Sequence, residues 1–345
     1  SNLPDVAVIP SEHFNTVLWT GNDTAQTITG VGFQPDMVWE KKRSAAEVPQ
    51  IADAVRGFTK YSYTNLTNSE GTDSTKITSV NSDGYAIGAS NSFNDNAVTY
   101  VAWNWKANGS GSSNTTGSIN STVSVNADAG FSIVSYTGTG SAGTIGHGLS
   151  SAPEMIIVKS RSFSDNWEVY HEGLNADAHD YLIRLNSTAA SATVGDFWNT
   201  SSYPTNSLFG ISGYDQLAKN NETFIAYCFH SVDGYSKMGS YVGNGNADGN
   251  FVYTGFRPAF VMIKPSTESG EWVMFDNKRD PSNETTQALR ANSSAAEINA
   301  VGDNSIDMLS NGFKSRAVGG WTNISGRGFI YLCFAETPFK YSNAR

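Results

Sequence analysis

The chain has 345 residues, 32 acidic against 22 basic side chains, a formal net charge of −10 and 12% aromatic residues. No basic run exceeds Lys41-Lys42-Arg43, which argues against sequence-independent nucleic-acid binding, because that needs clustered Lys and Arg to displace counterions. No stretch approaches the roughly 18 consecutive apolar residues of a membrane span. Charged residues at only 16%, with abundant Gly, Asn, Ser and Thr, argue against a helical bundle and for short strands joined by tight turns.

Residues 1–13 form a polar arm interrupted by Pro4 and Pro10, without the basic start and apolar core of a signal peptide. The arm reads either as a frayed terminus or as an extended peptide that docks on a partner by strand addition, through Leu3, Val6, Val8 and Ile9. A first unit then opens with Leu18-Trp-Thr-Gly21, continues with Gly32-Phe-Gln-Pro35-Asp-Met-Val-Trp-Glu-Lys41, and closes on Tyr100-Val-Ala-Trp-Asn-Trp105. Residues 108–121, rich in Gly, Ser, Asn and Thr, read as a flexible linker. A second unit repeats the pattern with Ser135-Tyr-Thr-Gly138, Pro153-Glu-Met-Ile-Ile-Val-Lys159 and Phe224-Ile-Ala-Tyr-Cys-Phe229. A third does so with Ser240-Tyr-Val-Gly243, Pro258-Ala-Phe-Val-Met-Ile-Lys264 and Phe329-Ile-Tyr-Leu-Cys-Phe334.

Spacing tests the repeat. Pro153 to Pro258, Gly138 to Gly243 and Cys228 to Cys333 are each 105 residues apart, whereas Pro35 to Pro153 is 118, the excess matching the linker. A period near 105 exceeds the roughly 20–50 residues of a solenoid unit and matches a domain of about 100 residues. Six to eight short strands per unit, with turn residues between them, are the pattern of a β-sandwich. Asp83-Gly84 and Asn311-Gly312 mark tight hairpins, and the closing strands, apolar on both faces, mark sheet centres. The expectation is an all-β chain of three tandem, homologous β-sandwich (jelly-roll-like) domains at 14–107, 122–233 and 234–345. Cys228 and Cys333 are then equivalents in separate units, expected to be free thiols in their own cores rather than a disulfide pair.

Candidate chemistry lies outside the repeat frame. His171, Asp177, His179 and Asp180 fall within ten residues and have the side chains of a metal site, but a polar hairpin loop is the plainer reading. Gly243-Asn-Gly-Asn-Ala-Asp248-Gly249 resembles a calcium loop in composition, yet lacks the alternating acids and terminal Glu. The carboxylates Asp36, Glu154, Glu168, Asp276 and Glu336 are scattered over three units, and sequence pairs none of them for glycoside hydrolysis. Trp103, Trp105, Trp167 and Trp272 recur and read as core; Trp198 and Trp321, in variable loops, read as ligand contacts, with Tyr203 and His179 beside the first. No catalytic residue, metal or cofactor is assigned.

As a set, several motifs resemble a family of tailed-phage virion proteins, tail-fibre-like or uncharacterised structural proteins of phages of marine bacteria and cyanobacteria. They stand at Gly32 to Lys41, Gly130 to Gly138, His147 to Pro153, Gly234 to Tyr241 and Phe334 to Arg345. The resemblance covers the chain from Phe14 onward and brings no catalytic residues. It implies a non-enzymatic virion structural protein made in the host cytoplasm, a tail fibre or knob-like appendage. Its expected partners are other virion proteins and a host-surface glycan or protein, in a homo-oligomer, with no nucleic acid and no membrane insertion. A capsid decoration protein or head fibre is the nearest alternative; a polysaccharide-depolymerising tailspike or carbohydrate-binding module is the alternative of a different class.

Overall fold

The three recurring closing strands organise everything else. In the computed structural model, which describes residues 8–199, 204–302 and 304–337, each is flanked on both sides within an antiparallel sheet. In repeat 1 the sheet order is Phe14–Thr20, Thr99–Trp105, Met37–Lys42, Gln50–Asp53, Lys60–Tyr63 and Gly71–Thr72. Repeat 3 has the same order: Ser236–Val242, Gly328–Ala335, Pro258–Pro265, Val273–Asp276, Gln287–Arg290 and Ile298–Asn299. Repeat 2 matches with Phe131–Thr137, Thr223–Phe229, Met155–Ser160, Trp167–His171, Tyr181–Arg184 and Ala192–Thr193.

A smaller sheet faces each large one. It is built from Gln26–Ile28, Gly84–Ile87 and Ile77–Asn81 in repeat 1, from Gly143–Gly146 and Leu208–Ile211 in repeat 2, and from Phe251–Tyr253, Gly312–Ser315 and Ile306–Leu309 in repeat 3. The chain is therefore an all-β assembly of sandwiches. The hairpin at Gly84 needs glycine: φ is +147° and a Cβ would collide with the Ile28 carbonyl.

Period-two alternation decides which residue meets which core. Phe224, Ala226 and Cys228 point into repeat 2's own sandwich; Phe329, Tyr331 and Cys333 do the same in repeat 3. Both cysteines are free, buried and in separate cores. The alternate residues, Val101, Trp103, Trp105, then Ile225, Tyr227, Phe229, then Ile330, Leu332, Phe334, join a fourth core shared by all three repeats. There Phe334 stacks on Phe14 at 4.8 Å and lies 5.6 Å from Trp105 and 6.2 Å from Phe229. The sandwiches are thus not beads on a string. Each large sheet has an apolar second face, worth about 1.5–3 kcal/mol per fully buried large side chain, and only the other two repeats can cover it.

Residues 108–121 differ from the linker expected. Ser112–Asn114 pairs with Ser121–Asn126, which pairs with Phe131–Thr137, so two extra strands extend the repeat 2 sheet. The Asp36 carboxylate accepts from the Ala107 and Gly109 amides. Small polar side chains build no core, but their backbone groups still find ladder partners.

Candidate functional site

The three seams between repeats are built from one recurring motif. The penultimate lysines of the proline-associated strands, Lys41, Lys159 and Lys264, are all buried. Lys41 Nζ donates to the Ser293 carbonyl of repeat 3 at 2.7 Å, Lys159 Nζ to Thr67 O of repeat 1 at 3.1 Å, and Lys264 Nζ to Ala189 O of repeat 2 at 2.9 Å. Repeat 1 thus latches onto 3, 2 onto 1 and 3 onto 2, which closes a ring. Burial pulls the pKa of each ammonium down to about 8. An indole N–H crosses every seam, and at two of them it meets a backbone carbonyl: Trp167 donates to Tyr63 O at 2.8 Å and Trp272 to Arg184 O at 2.9 Å.

Two seams also carry ion pairs. Between repeats 2 and 1, Arg161 bonds Glu70 at 3.0 Å, Glu70 lies 3.4 Å from Arg56, and Arg56 pairs with Asp53 at 2.5 Å. The Tyr227 hydroxyl of repeat 2 completes the set by donating to Asp53 at 2.8 Å. Between repeats 1 and 3, Arg43, Glu297, Arg279 and Asp276 repeat this arrangement, with Trp103 Nε1 donating to Asp276 at 3.1 Å. Burial works against the Glu297 carboxylate, but the hydrogen bond from Arg43 and the charge of Arg279 outweigh it and hold its pKa below the usual range.

The third seam, between repeats 3 and 2, has no ion pair across it among the described residues. Ser191 N donates to Ser266 O at 2.8 Å, and His171 takes the register position of Asp53 and Asp276. His171 Nδ1 accepts from Gly173 N, so Nε2 carries the proton toward Tyr331 O at 3.2 Å. Burial pushes the imidazole pKa down to about 4 and keeps it neutral.

Of the residues expected to bind ligand, Trp198 and His179 adjoin, Trp198 N donating to His179 O at 3.1 Å, but both are buried. Trp198 is 1% exposed: its indole packs on Tyr170 and Phe197 and donates to Tyr181 O, so a loop aromatic expected at the surface is core instead. His179 is buried beside Asp180, at 3.5 Å. Tyr203 lies outside the described residues. Trp321 is half-buried under the Arg290 guanidinium, 5.5 Å away, and against the repeat 3 core. Of the arm, Leu3 and Val6 lie outside the described residues. Val8 is buried in the shared core of its own chain, which removes it from any partner surface, and Ile9 is 46% exposed. Ser11 N donates to Thr337 Oγ1 at 2.9 Å, so the two ends of the described chain adjoin. A groove of about 210 Å³ opens at that corner, lined by Ser11, Asn15, Ala259, Lys278 and Glu336. Among the described residues no cluster of His, Cys, Asp or Glu is placed to hold a metal ion, and no helix is long and apolar enough to cross a membrane.

Two features were missed in the sequence reading. Repeat 1 buries Glu40, with neither carboxyl oxygen hydrogen-bonded to a described residue, and burial raises its pKa well above the usual carboxylate range. Nearby Lys76 donates to Gln50 and lies 3.2 Å from the centre of the Tyr61 ring. The signal was available in the repeat itself, because Val158 and Ile263 stand where Glu40 does. The second is a pair of exposed aromatics on the outer strand of repeat 3's small sheet, Phe251 at 45% and Tyr253 at 66%.

No curated protein matches the chain. One family model does, described as a domain of unknown function, DUF7483, and its match runs through all three repeats from residue 9 to residue 338. The chain therefore belongs to the DUF7483 family.

Proposed function

We propose that this chain is a non-enzymatic structural protein of a phage virion, a tail-fibre or knob-like appendage that contacts the host surface. One observation supports the reading above others: the recurring residues build a shared core and three latched seams, while the repeats differ on their outward sheets and loops. Such a body is a stiff mount for three unlike surfaces, as attachment to a varied cell envelope requires. The motif resemblance to tailed-phage virion proteins points the same way.

The test combines antibody labelling of purified virions with adsorption competition by the purified chain. Label at the tail tip and slower phage adsorption are the expected results. Label on the capsid would favour a decoration protein, and absence from virions would sink the proposal. Incubation with host polysaccharide addresses the enzyme alternative, since reproducible chain shortening would overturn the non-enzymatic assignment.

A further inference from the structure

The small sheets of repeats 2 and 3 have equivalent outer strands but different neighbours. In repeat 2 the outer strand Gly143–Gly146 is covered by an extended segment of the chain. Ile119 bridges Ile145 in parallel, and Ile119 N donates to Thr144 O at 3.0 Å. Ser118 exchanges hydrogen bonds with Thr144, and Ser121 Oγ donates to Gly146 O at 3.1 Å. The strand Phe251–Tyr253 occupies the same place in repeat 3. Val252 pairs with Phe313 as Ile145 pairs with Phe209, and both Val252 and Ile145 face inward. Phe251 and Tyr253 therefore stand where Thr144 and Gly146 do, with their amides and carbonyls turned outward. Among the described residues no strand covers this edge. Val242, 57% exposed, adjoins it: its carbonyl accepts from Asn250 Nδ2, just ahead of the strand.

We propose that the Phe251–Tyr253 edge is a docking site for an extended peptide strand of a partner protein, which adds to the small sheet as residues 118–121 do in repeat 2. An unpaired strand edge is a template for another chain, with backbone bonds supplying affinity and alternate side chains supplying choice. The peptide would run parallel to Phe251–Tyr253, set a β-branched side chain where Ile119 sits, and lie against the two rings. A second copy of this body is a poorer fit. Three strand residues and three exposed side chains fall well short of the roughly 800 Å² per partner that a stable interface of two globular proteins needs. This inference stands on the internal equivalence and is independent of the virion reading.

The test uses the full chain and a synthetic peptide reproducing residues 112–122. Saturable binding is expected, with hydrogen exchange at residues 251–253 slowed at least tenfold. The Tyr253→Pro variant removes an outward amide at a position where an edge strand tolerates proline, so it should keep its melting temperature yet lose peptide binding. Phe251→Ala with Tyr253→Ala should weaken binding at least tenfold. Unchanged exchange at millimolar peptide would overturn the proposal, as would undiminished binding by a folded Tyr253→Pro variant. Polysaccharide binding that depends on both rings but survives Tyr253→Pro would also overturn it, in favour of sugar stacking. A concentration-dependent dimer abolished by the same substitutions would instead assign the edge to self-association.

Discussion

Two seams of the ring are ionic and the third is not, although all three join equivalent surfaces. At the 2–1 and 1–3 seams a buried Asp–Arg pair meets a Glu that also accepts from an arginine of the adjoining repeat. At the 3–2 seam His171 and the Ser191–Ser266 contact stand in their place, and among the described residues no ion pair crosses it. All three keep the lysine-to-carbonyl latch. The difference teaches that register and closure come from backbone acceptors and apolar packing, while charge is a local option. A buried ion pair must offset its own desolvation, so its presence says little about net stability, but losing one partner costs much.

That asymmetry sets the expected sizes of effect. Asp53→Ala strands the buried Arg56 guanidinium and should cost about 3–5 kcal/mol in urea unfolding, with Asp276→Ala similar, whereas Ser191→Ala at the third seam, which removes the Oγ bond to Ser266 O at 2.9 Å, should cost about 1 kcal/mol or less. Equal costs would erase the distinction between the seams. The third seam should instead respond to acid. Unfolded His171 takes up a proton near pH 6.5, whereas folded His171 resists until about pH 4. Its contribution is therefore complete above pH 6.5 and is lost as pH falls toward 4, the loss there being about 3 kcal/mol. Melting temperatures of wild type and His171→Gln between pH 7 and 4 should converge toward the acid end; parallel curves would remove histidine from the account.

The shared latch should give intermediate effects. Lys159→Met leaves the Thr67 and Asp165 carbonyls without their donor and should cost about 1–3 kcal/mol, with Lys264→Met close behind. A neutral result at both positions would shift the burden of closure to the apolar core. The smallest change is Arg161→Lys, which keeps the charge but loses the guanidinium fork at a partly exposed position. About 0.5 kcal/mol is expected, shrinking in high salt.

Much of the fold was legible in the sequence because it depends on local period and on spacing. The closing strands are apolar on both faces, and that marks them as central. Equal separations made Cys228 and Cys333 equivalents, and they occupy separate cores. What local pattern could not reveal was where the second apolar face of each sheet goes, and this is the shared core. The latch was hidden for the same reason. The acceptor of Lys41 is a backbone carbonyl 252 positions away, and carbonyls carry no signature in sequence. Trp198 failed as a surface contact because a loop can fold its indole inward when a carbonyl, here that of Tyr181, satisfies the N–H. The exposed aromatics Phe251 and Tyr253 escaped notice because a period-two strand does not declare which of its faces is wet.

The contact between Ser11 and Thr337 has an architectural consequence. A chain that enters and leaves a closed body at one corner behaves as a module on a single stem. It can be spliced into a surface loop of another polypeptide, or its ends can be fused and reopened in a turn elsewhere, without pulling the three repeats apart. For such a body the natural unit of evolutionary traffic is the whole triplet rather than the single repeat, since one repeat moved alone would carry an apolar sheet face with nothing to cover it.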